Sequence, residues 1–268
     1  MTWYRIWAIF TRHFYLYKRS LSRWMAIFYW PLIDLFVWGF ITVYLRQAQS
    51  LSEGGKPVSF IMAFLGALIL WDILFRSQQG ISITFLEEVW SRNLLNLFVA
   101  PLRPIEFLTA SMLMGLFMVT TATLASAVLA WLFYSFNLLV LGVALLPFIL
   151  NLVAMGWAIG VVTTAVVLRF GQKAEVLAWG LTFFFQPISA VFYPVEVLPA
   201  WLQPVARAVP ATHVFQGMRQ VLHDGTFPIG ELLAATALNA VYLAAAFLFF
   251  YWIFAQVKEL GLLLKVGE

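Results

Sequence analysis

The sequence has no cysteine and few charged side chains. Without cysteine, neither a disulfide nor a thiolate site can form, and the sequence gives no indication of the redox compartment. Charged residues make up 10% of the 268 residues and apolar residues 63%, compared with about 45–50% apolar residues in soluble domains. This composition predicts a membrane protein that has no separate soluble domain.

The common catalytic motifs are also missing. The sequence has no GxxxxGK[ST] loop to bind nucleotide phosphates, no HExxH zinc motif and no GxSxG nucleophile turn. His13, His213 and His223 are far apart and lack carboxylates at the spacing that metal ligation needs. We therefore expect a protein that is not an enzyme and that binds no metal or cofactor itself.

Long apolar runs predict an all-α integral membrane protein, a single transmembrane domain over residues 1–268. About 20 apolar residues cross a bilayer once, so six transmembrane helices are predicted: Trp24–Tyr44, Val58–Leu74, Phe107–Tyr134, Leu138–Leu168, Val176–Val191 and Leu232–Ala255. If the N-terminus is cytoplasmic, the lysines and arginines fall on the inside, except for Arg46, Lys56, Arg207 and Arg219. We therefore expect both termini in the cytoplasm, and we attribute the net charge of +4 to membrane orientation rather than nucleic-acid binding.

Residues 1–23 have the pattern of an amphipathic helix. At 100° per residue, one face carries Trp3, Ile6, Trp7, Phe10, Phe14 and Tyr17, and the opposite face carries Arg5, Arg12, Arg19 and Arg23. This pattern predicts a helix that lies in the membrane interface with its arginines toward anionic lipid headgroups. The alternative is a basic flanking segment that only sets orientation.

Residues 77–104 are predicted to form a cytoplasmic loop between the second and third spans. It combines an acidic pair with basic and apolar residues, namely Glu87, Glu88, Arg92, Leu95, Phe98 and Arg103. A short helix that ends before Pro101 would form a compact knob able to dock on another protein. The alternative is a solvated linker, but exposed apolar side chains are unfavourable in such a linker.

The segment Gln186–Arg219 contains five prolines and is still largely apolar. Proline at this frequency excludes one continuous helix. We therefore expect an external re-entrant helical hairpin over residues 192–230, a structure that membranes tolerate only where protein or a cavity satisfies the backbone.

Polar residues within the spans have alternative interpretations. Asp34 can serve a structural pair or cap, or a gate or substrate site, and Asn151 and Gln186 are further candidates for lining a pathway. The 26 phenylalanines and 12 tryptophans can line a channel or form lipid-facing belts. Asp72 and Arg76 have the spacing of an intrahelical ion pair, and Gly156 and Gly160 have the spacing of a close helix contact.

Three segments resemble the membrane subunits of type-2 ABC exporters, the ABC-2 type permease family. They are the loop EEVWSRNLLNLFVAPLRP, the segment SAVFYPVEVLPAWLQPVARAVPATHVFQGMR and the basic N-terminal helix. The resemblance implies a half-transporter that pairs with a second copy or a related permease. It also implies a separate ABC-type ATP-binding subunit, which holds ATP and Mg, and a location in the bacterial plasma membrane among its lipids.

The resemblance also implies roles for two groups of residues. The ATPase-docking residues would be Glu87, Glu88, Arg92, Leu95, Phe98 and Arg103, within the coupling element of the family. The outer gate would be formed by Phe192, Tyr193, Pro194, Glu196, Pro199 and His213. The alternatives from other classes are an ion-coupled secondary transporter, which would need inverted repeats and buried ionisable residues, and a non-transporting membrane scaffold.

Overall fold

The computed structural model describes residues 2–50 and 57–261, and the elements within these ranges are all helical. Predictions for Met1, residues 51–56 and residues 262–268 lie outside these ranges, as do the side chains at 26–27, 42, 45–50, 57–62, 95 and 98. The α-helices are α1 (Trp3–Arg19), α2 (Leu21–Ser50), α3 (Pro57–Trp90), α4 (Leu94–Val99), α5 (Pro104–Tyr134), α6 (Leu145–Phe170), α7 (Glu175–Ile188), α8 (Gln203–Arg207), α9 (Pro210–Asp224) and α10 (Ile229–Glu259). The all-α prediction is confirmed.

Four stretches of the described chain are long and apolar enough to cross a membrane. They are Leu21–Ile41, Pro104–Tyr134, Leu138–Ile188 and Ile229–Glu259. The third covers 51 residues, more than the ~20 that one crossing needs. It contains both α6 and α7, which a 3₁₀ turn over Gly171–Ala174 separates.

Helix α3 lies between α5 and α6 and is the centre of the structure. Contact with α5 is so close that a methyl group added at Gly80 would overlap the Cα atom of Gly115. Toward α6, a Cβ atom at Gly156 would lie 2.6 Å from the carbonyl oxygen of Leu74, and one at Gly160 would lie 3.1 Å from that of Gln78. The prediction of close packing at Gly156 and Gly160 is confirmed, because glycine allows the backbones to approach.

The predicted loop over residues 77–104 is largely helical in the structure. Helix α3 continues through it to Trp90, and the buried polar side chains Ser77 and Gln78 allow this continuation. Ser77 Oγ donates to the carbonyl oxygen of Val153 at 2.9 Å, and Gln78 Nε2 donates to that of Ala178 at 3.0 Å. These polar residues of the predicted loop therefore form hydrogen bonds between helices, which lowers the cost of burying them, although Gln78 Oε1 has no partner among the described residues. The predicted short helix before Pro101 is present as α4.

The chain between α7 and α10 is broken into short helices, as the prolines predicted. Pro204 and Pro210 occupy the first turns of α8 and α9, where the missing N–H has no intrahelical partner to lose. Ala190 adopts a left-handed φ of 49° at the start of this segment. One face of α9 is buried, and Phe215 and Met218 on that face belong to the main apolar core.

Helix α1 and helix α9 lie at opposite ends of α3. Met218 of α9 lies beside Gly66, with its sulfur 3.3 Å from the position of an added Cβ, whereas α1 contacts Glu88. At a rise of 1.5 Å per residue, Gly66 and Glu88 are about 33 Å apart, close to the ~30 Å thickness of a bilayer core. We call the end that carries α1 the α1 end, and the end that carries α9 the hairpin end.

Candidate functional site

A cavity of about 700 Å³ runs along α3 between the two ends of the structure. Its wall includes residues of α3 from Leu68 to Glu87, a distance of about 28 Å along the helix. Helices α2, α5 and α7 form the other sides, with Tyr17 of α1 at one end and Phe192 at the other. The cavity therefore extends from the α1 end to the hairpin end.

Aromatic side chains form much of the cavity wall. They are Trp30, Trp38, Trp71, Phe75, Trp179, Phe183 and Phe192. The rings of Phe75 and Phe183 join α3 to α7 with centroids 5.1 Å apart. Phe192 stacks on Phe64, with centroids 4.8 Å apart, and closes the hairpin end. Such a wall offers flat apolar surfaces to an amphipathic molecule.

Charged groups also line the cavity. Asp72 and Arg76 form the predicted intrahelical ion pair, with 3.1 Å between Arg76 Nε and Asp72 Oδ1. Asp34, on α2, is exposed to the cavity. Among the predicted pathway residues, the structure places Asp34 and Gln186 on the cavity wall.

Asn151, the third predicted pathway residue, lies elsewhere. It is 7% exposed and sits where α6 contacts α10. Asn239 Nδ2 donates to both the backbone and the side-chain oxygen of Asn151 at 2.9 Å, and Thr236 Oγ1 donates to the same side-chain oxygen at 3.2 Å. These hydrogen bonds hold two helices together, so we do not include Asn151 in the proposed pathway.

At the α1 end, the acidic pair of α3 binds α1 and the beginning of α2. Arg12 Nη1 lies 2.7 Å from Glu88 Oε1, and Arg23 Nη1 lies 2.9 Å from Glu87 Oε1. His13, which is 1% exposed, lies between the two carboxylates, 3.4 Å from Glu88 and 3.6 Å from Glu87. Burial raises the pKa of the Tyr17 phenol, with a further contribution from Glu87, so this residue stays neutral at physiological pH.

A third carboxylate, that of Glu106, holds the beginning of α1 in place. Glu106 of α5 is buried and accepts hydrogen bonds from the backbone N–H of Thr2 at 2.7 Å and of Arg103 at 3.0 Å. Arg5 Nη1 lies 3.6 Å from the same carboxylate. Arg5, Arg12 and Arg23 were predicted to face lipid headgroups. They contact protein carboxylates instead, because the acidic groups lie on neighbouring helices.

The predicted docking residues fall into three groups. Glu87 and Glu88 belong to α3, and Glu88 is buried against α1. Arg92 and Arg103 are exposed at the two sides of α4. Leu95 and Phe98 belong to the backbone of α4, and their side chains are outside the described part of the structure.

Helix α4 is fixed on one side and exposed on the other. Leu94 and Leu97 are buried in an apolar cluster that includes Phe107. Asn96 and Val99 face outward, and Val99 is 78% exposed. This arrangement holds a short apolar surface at the α1 end of the molecule.

The six predicted gate residues lie in the segment between α7 and α10 or at its edges: Phe192, Tyr193, Pro194, Glu196, Pro199 and His213. Tyr193 Oη donates to the carbonyl oxygen of Pro187 at 2.8 Å. His213 lies between helices, with Nδ1 2.7 Å from Glu231 Oε2 and Nε2 2.8 Å from the carbonyl oxygen of Arg207. These contacts connect the hairpin to the start of α10.

Arg219 organises the hairpin, and this role was not predicted from the sequence. Its Nη1 donates to the carbonyl oxygens of Ala190 at 3.0 Å and Val191 at 3.4 Å. Burial lowers the pKa of its guanidinium to about 10, so it remains charged at neutral pH. An arginine in a mostly apolar segment was the available signal, because such a charge needs acceptors nearby.

These features describe a helical membrane protein with a long internal cavity and a broken hairpin at one end. Residues 41–255 match the model of a protein family that is described as "ABC-2 family transporter protein". The chain therefore belongs to the ABC-2 transporter family, and it is an integral membrane protein. The predicted family is confirmed, although α1 lies outside the matched residues. A comparison with curated proteins gives no match.

Proposed function

We propose that this chain is the membrane-spanning permease subunit of an ATP-driven exporter. It would move an amphipathic substrate, such as a lipid, a drug or a glycan, out of the cytoplasm. The supporting observation is the cavity that extends from Tyr17 at the α1 end to Phe192 at the hairpin end. A scaffold protein has no need for such a cavity.

ATP would be hydrolysed by a separate ABC-type subunit that also holds the Mg²⁺. This subunit would contact α4 and the exposed residues Arg92 and Arg103 beside it. Helix α4 follows α3 directly, and Glu88 and Glu87 of α3 bind Arg12 of α1 and Arg23 of α2. A force applied at α4 would therefore reach the cavity wall. The hairpin over residues 192–230 would form the outer gate at the other end, with a re-entrant course.

Six crossings are part of this proposal. Helices α2, α3, α5, α6, α7 and α10 would each cross the bilayer. The polar centre of α3 would be tolerated because Ser77 and Gln78 find partners on neighbouring helices. Both termini would be cytoplasmic, in the plasma membrane of a bacterium, with lipid around the exposed aromatic side chains of α2. Two copies, or this chain and a related permease, would form the complete pathway.

An ion-coupled secondary transporter is a second candidate, because Asp34 places a carboxylate in the cavity. Such carboxylates bind protons or sodium ions in transporters of that class. Dependence on ATP separates the two functions. An ion-coupled transporter would move its substrate without an ATP-binding partner, and its rate would respond to a proton or sodium gradient.

Copurification tests the proposed partnership. The full chain is coexpressed with a candidate ABC-type ATP-binding subunit and purified in detergent, with an unrelated membrane protein of similar size as control. We expect the ATP-binding subunit to purify with this chain and to hydrolyse ATP. If every candidate subunit separates from the chain, and if substrate efflux continues after ATP depletion, the proposal is wrong.

A further inference from the structure

The charged side chains on the cavity wall carry an excess of negative charge. They are Arg23, Asp34, Asp72, Arg76 and Glu87. Two ion pairs balance four of them, since Arg23 binds Glu87 at 2.9 Å and Arg76 binds Asp72 at 3.1 Å. Asp34 accepts no hydrogen bond and forms no salt bridge with the described residues. With Asp34 ionised, the charged groups of the wall therefore sum to one negative charge.

The aromatic wall is suited to a cation with an apolar body. Trp30, Trp38, Trp71 and Trp179 line the same cavity as Asp34. Tryptophan attracts cations most strongly among the aromatic side chains, when the charge lies within about 6 Å of the ring centroid. Trp30, Trp38 and Trp179 are 60%, 38% and 45% exposed and therefore offer ring surface to an occupant, whereas Trp71 is 6% exposed and offers little.

We propose that the cavity binds lipophilic organic cations, with Asp34 as the counter-charge and Trp30, Trp38 and Trp179 as the contact surface for the apolar body. This assignment rests on the proposed function, because it names the substrate class of the exporter. An anionic substrate would place a second negative charge beside the Asp34 carboxylate, which is unfavourable. A metal ion is a poor alternative, since the described residues contain no group of three metal-binding side chains.

Binding of tetraphenylphosphonium tests the proposal, with tetraphenylborate as an anion of the same shape. The purified full chain is placed in lipid nanodiscs without an ATP-binding subunit, and empty nanodiscs correct for partition into lipid. We expect the chain to bind the cation and not the anion. We expect Asp34→Asn to weaken cation binding about tenfold, which corresponds to about 1.4 kcal/mol. Asp224→Asn, outside the cavity, is the matched control.

Tryptophan variants provide a second readout if Asp34→Asn does not fold. We expect Trp179→Leu to weaken binding of tetraphenylphosphonium, whereas Trp201→Leu, at an exposed position outside the cavity, leaves it unchanged. Equal binding of cation and anion, or wild-type affinity of both cavity variants, would overturn the assignment. Loss of tetraphenylphosphonium binding in preparations where a second copy of the chain covers the cavity would also overturn the assignment. ATP-dependent efflux is measured separately, so it can persist when the cation assignment fails.

Discussion

Arg12 of α1 and Glu88 of α3 form a two-point ion pair although 76 positions separate them in the chain, with 2.7 Å between Nη1 and Oε1 and 3.1 Å between Nη2 and Oε2. Glu88 also accepts from Asn93 Nδ2 at 2.6 Å. Asn93 immediately precedes α4. A single buried carboxylate therefore connects α1, α3 and the beginning of α4.

Loss of this carboxylate charge should loosen α1. We expect Glu88→Gln to lower the free energy of unfolding by about 1–3 kcal/mol, because Arg12 and His13 lose their buried partner. Trypsin should also cleave faster after Lys18 and Arg19. Thermal unfolding in detergent and timed proteolysis measure both effects.

Glu259→Gln, at the exposed end of α10, is the matched control and should behave as wild type. If Glu88→Gln shows the same melting temperature and cleavage rate as this control, α1 is not held by Glu88. Arg12→Gln combined with Glu88→Gln measures the coupling between the two residues directly.

The contact between Gly80 and Gly115 should not tolerate a methyl group. We expect Gly80→Ala to destabilise the protein by about 1–3 kcal/mol, because α3 and α5 must move apart. Gly180→Ala is the control, since a Cβ atom added there meets no atom within 4 Å. The melting temperatures of the purified variants measure the difference, and equal values would contradict the packing of α3.

Local features of the fold were predictable from the sequence. The ion pair of Asp72 and Arg76 follows from their spacing along one helix, and the short helix before Pro101 follows from the helix-breaking effect of proline. The broken chain after Gln186 follows from its prolines in the same way. In each case, residues close in the sequence determine the outcome.

Features that depend on distant residues were not predictable. Ser77 and Gln78 looked like loop residues, because their acceptors on Val153 and Ala178 are far away in the sequence. The arginines of α1 looked lipid-facing, because nothing in the sequence places Glu88 beside Arg12. The full set of residues on the cavity wall was not predictable for the same reason, since four helices and part of α1 must assemble before Asp34 and Trp179 share a space.

The exposed side of α4 should contact the ATP-binding subunit. Val99 is 78% exposed there, and we expect Val99→Asp to reduce the amount of ATP-binding subunit that copurifies about tenfold, because a charge replaces an apolar contact. Val197→Asp, 66% exposed but at the hairpin end, is the matched control and should copurify normally. Normal copurification of both variants would exclude the α4 surface as the contact.

In the proposed transport cycle, ATP used by a separate subunit changes access to the cavity along α3. The chain has no cysteine, so Gln186→Cys introduces a single thiol into the cavity wall. Its reaction with a membrane-impermeant maleimide is measured in sealed vesicles that contain the assembled complex, with Val197→Cys as an exposed control. We expect ATP to change the labelling rate of the Gln186→Cys variant at least severalfold and to leave the control unchanged. An assembled complex that hydrolyses ATP while both labelling rates stay constant would contradict the proposed cycle.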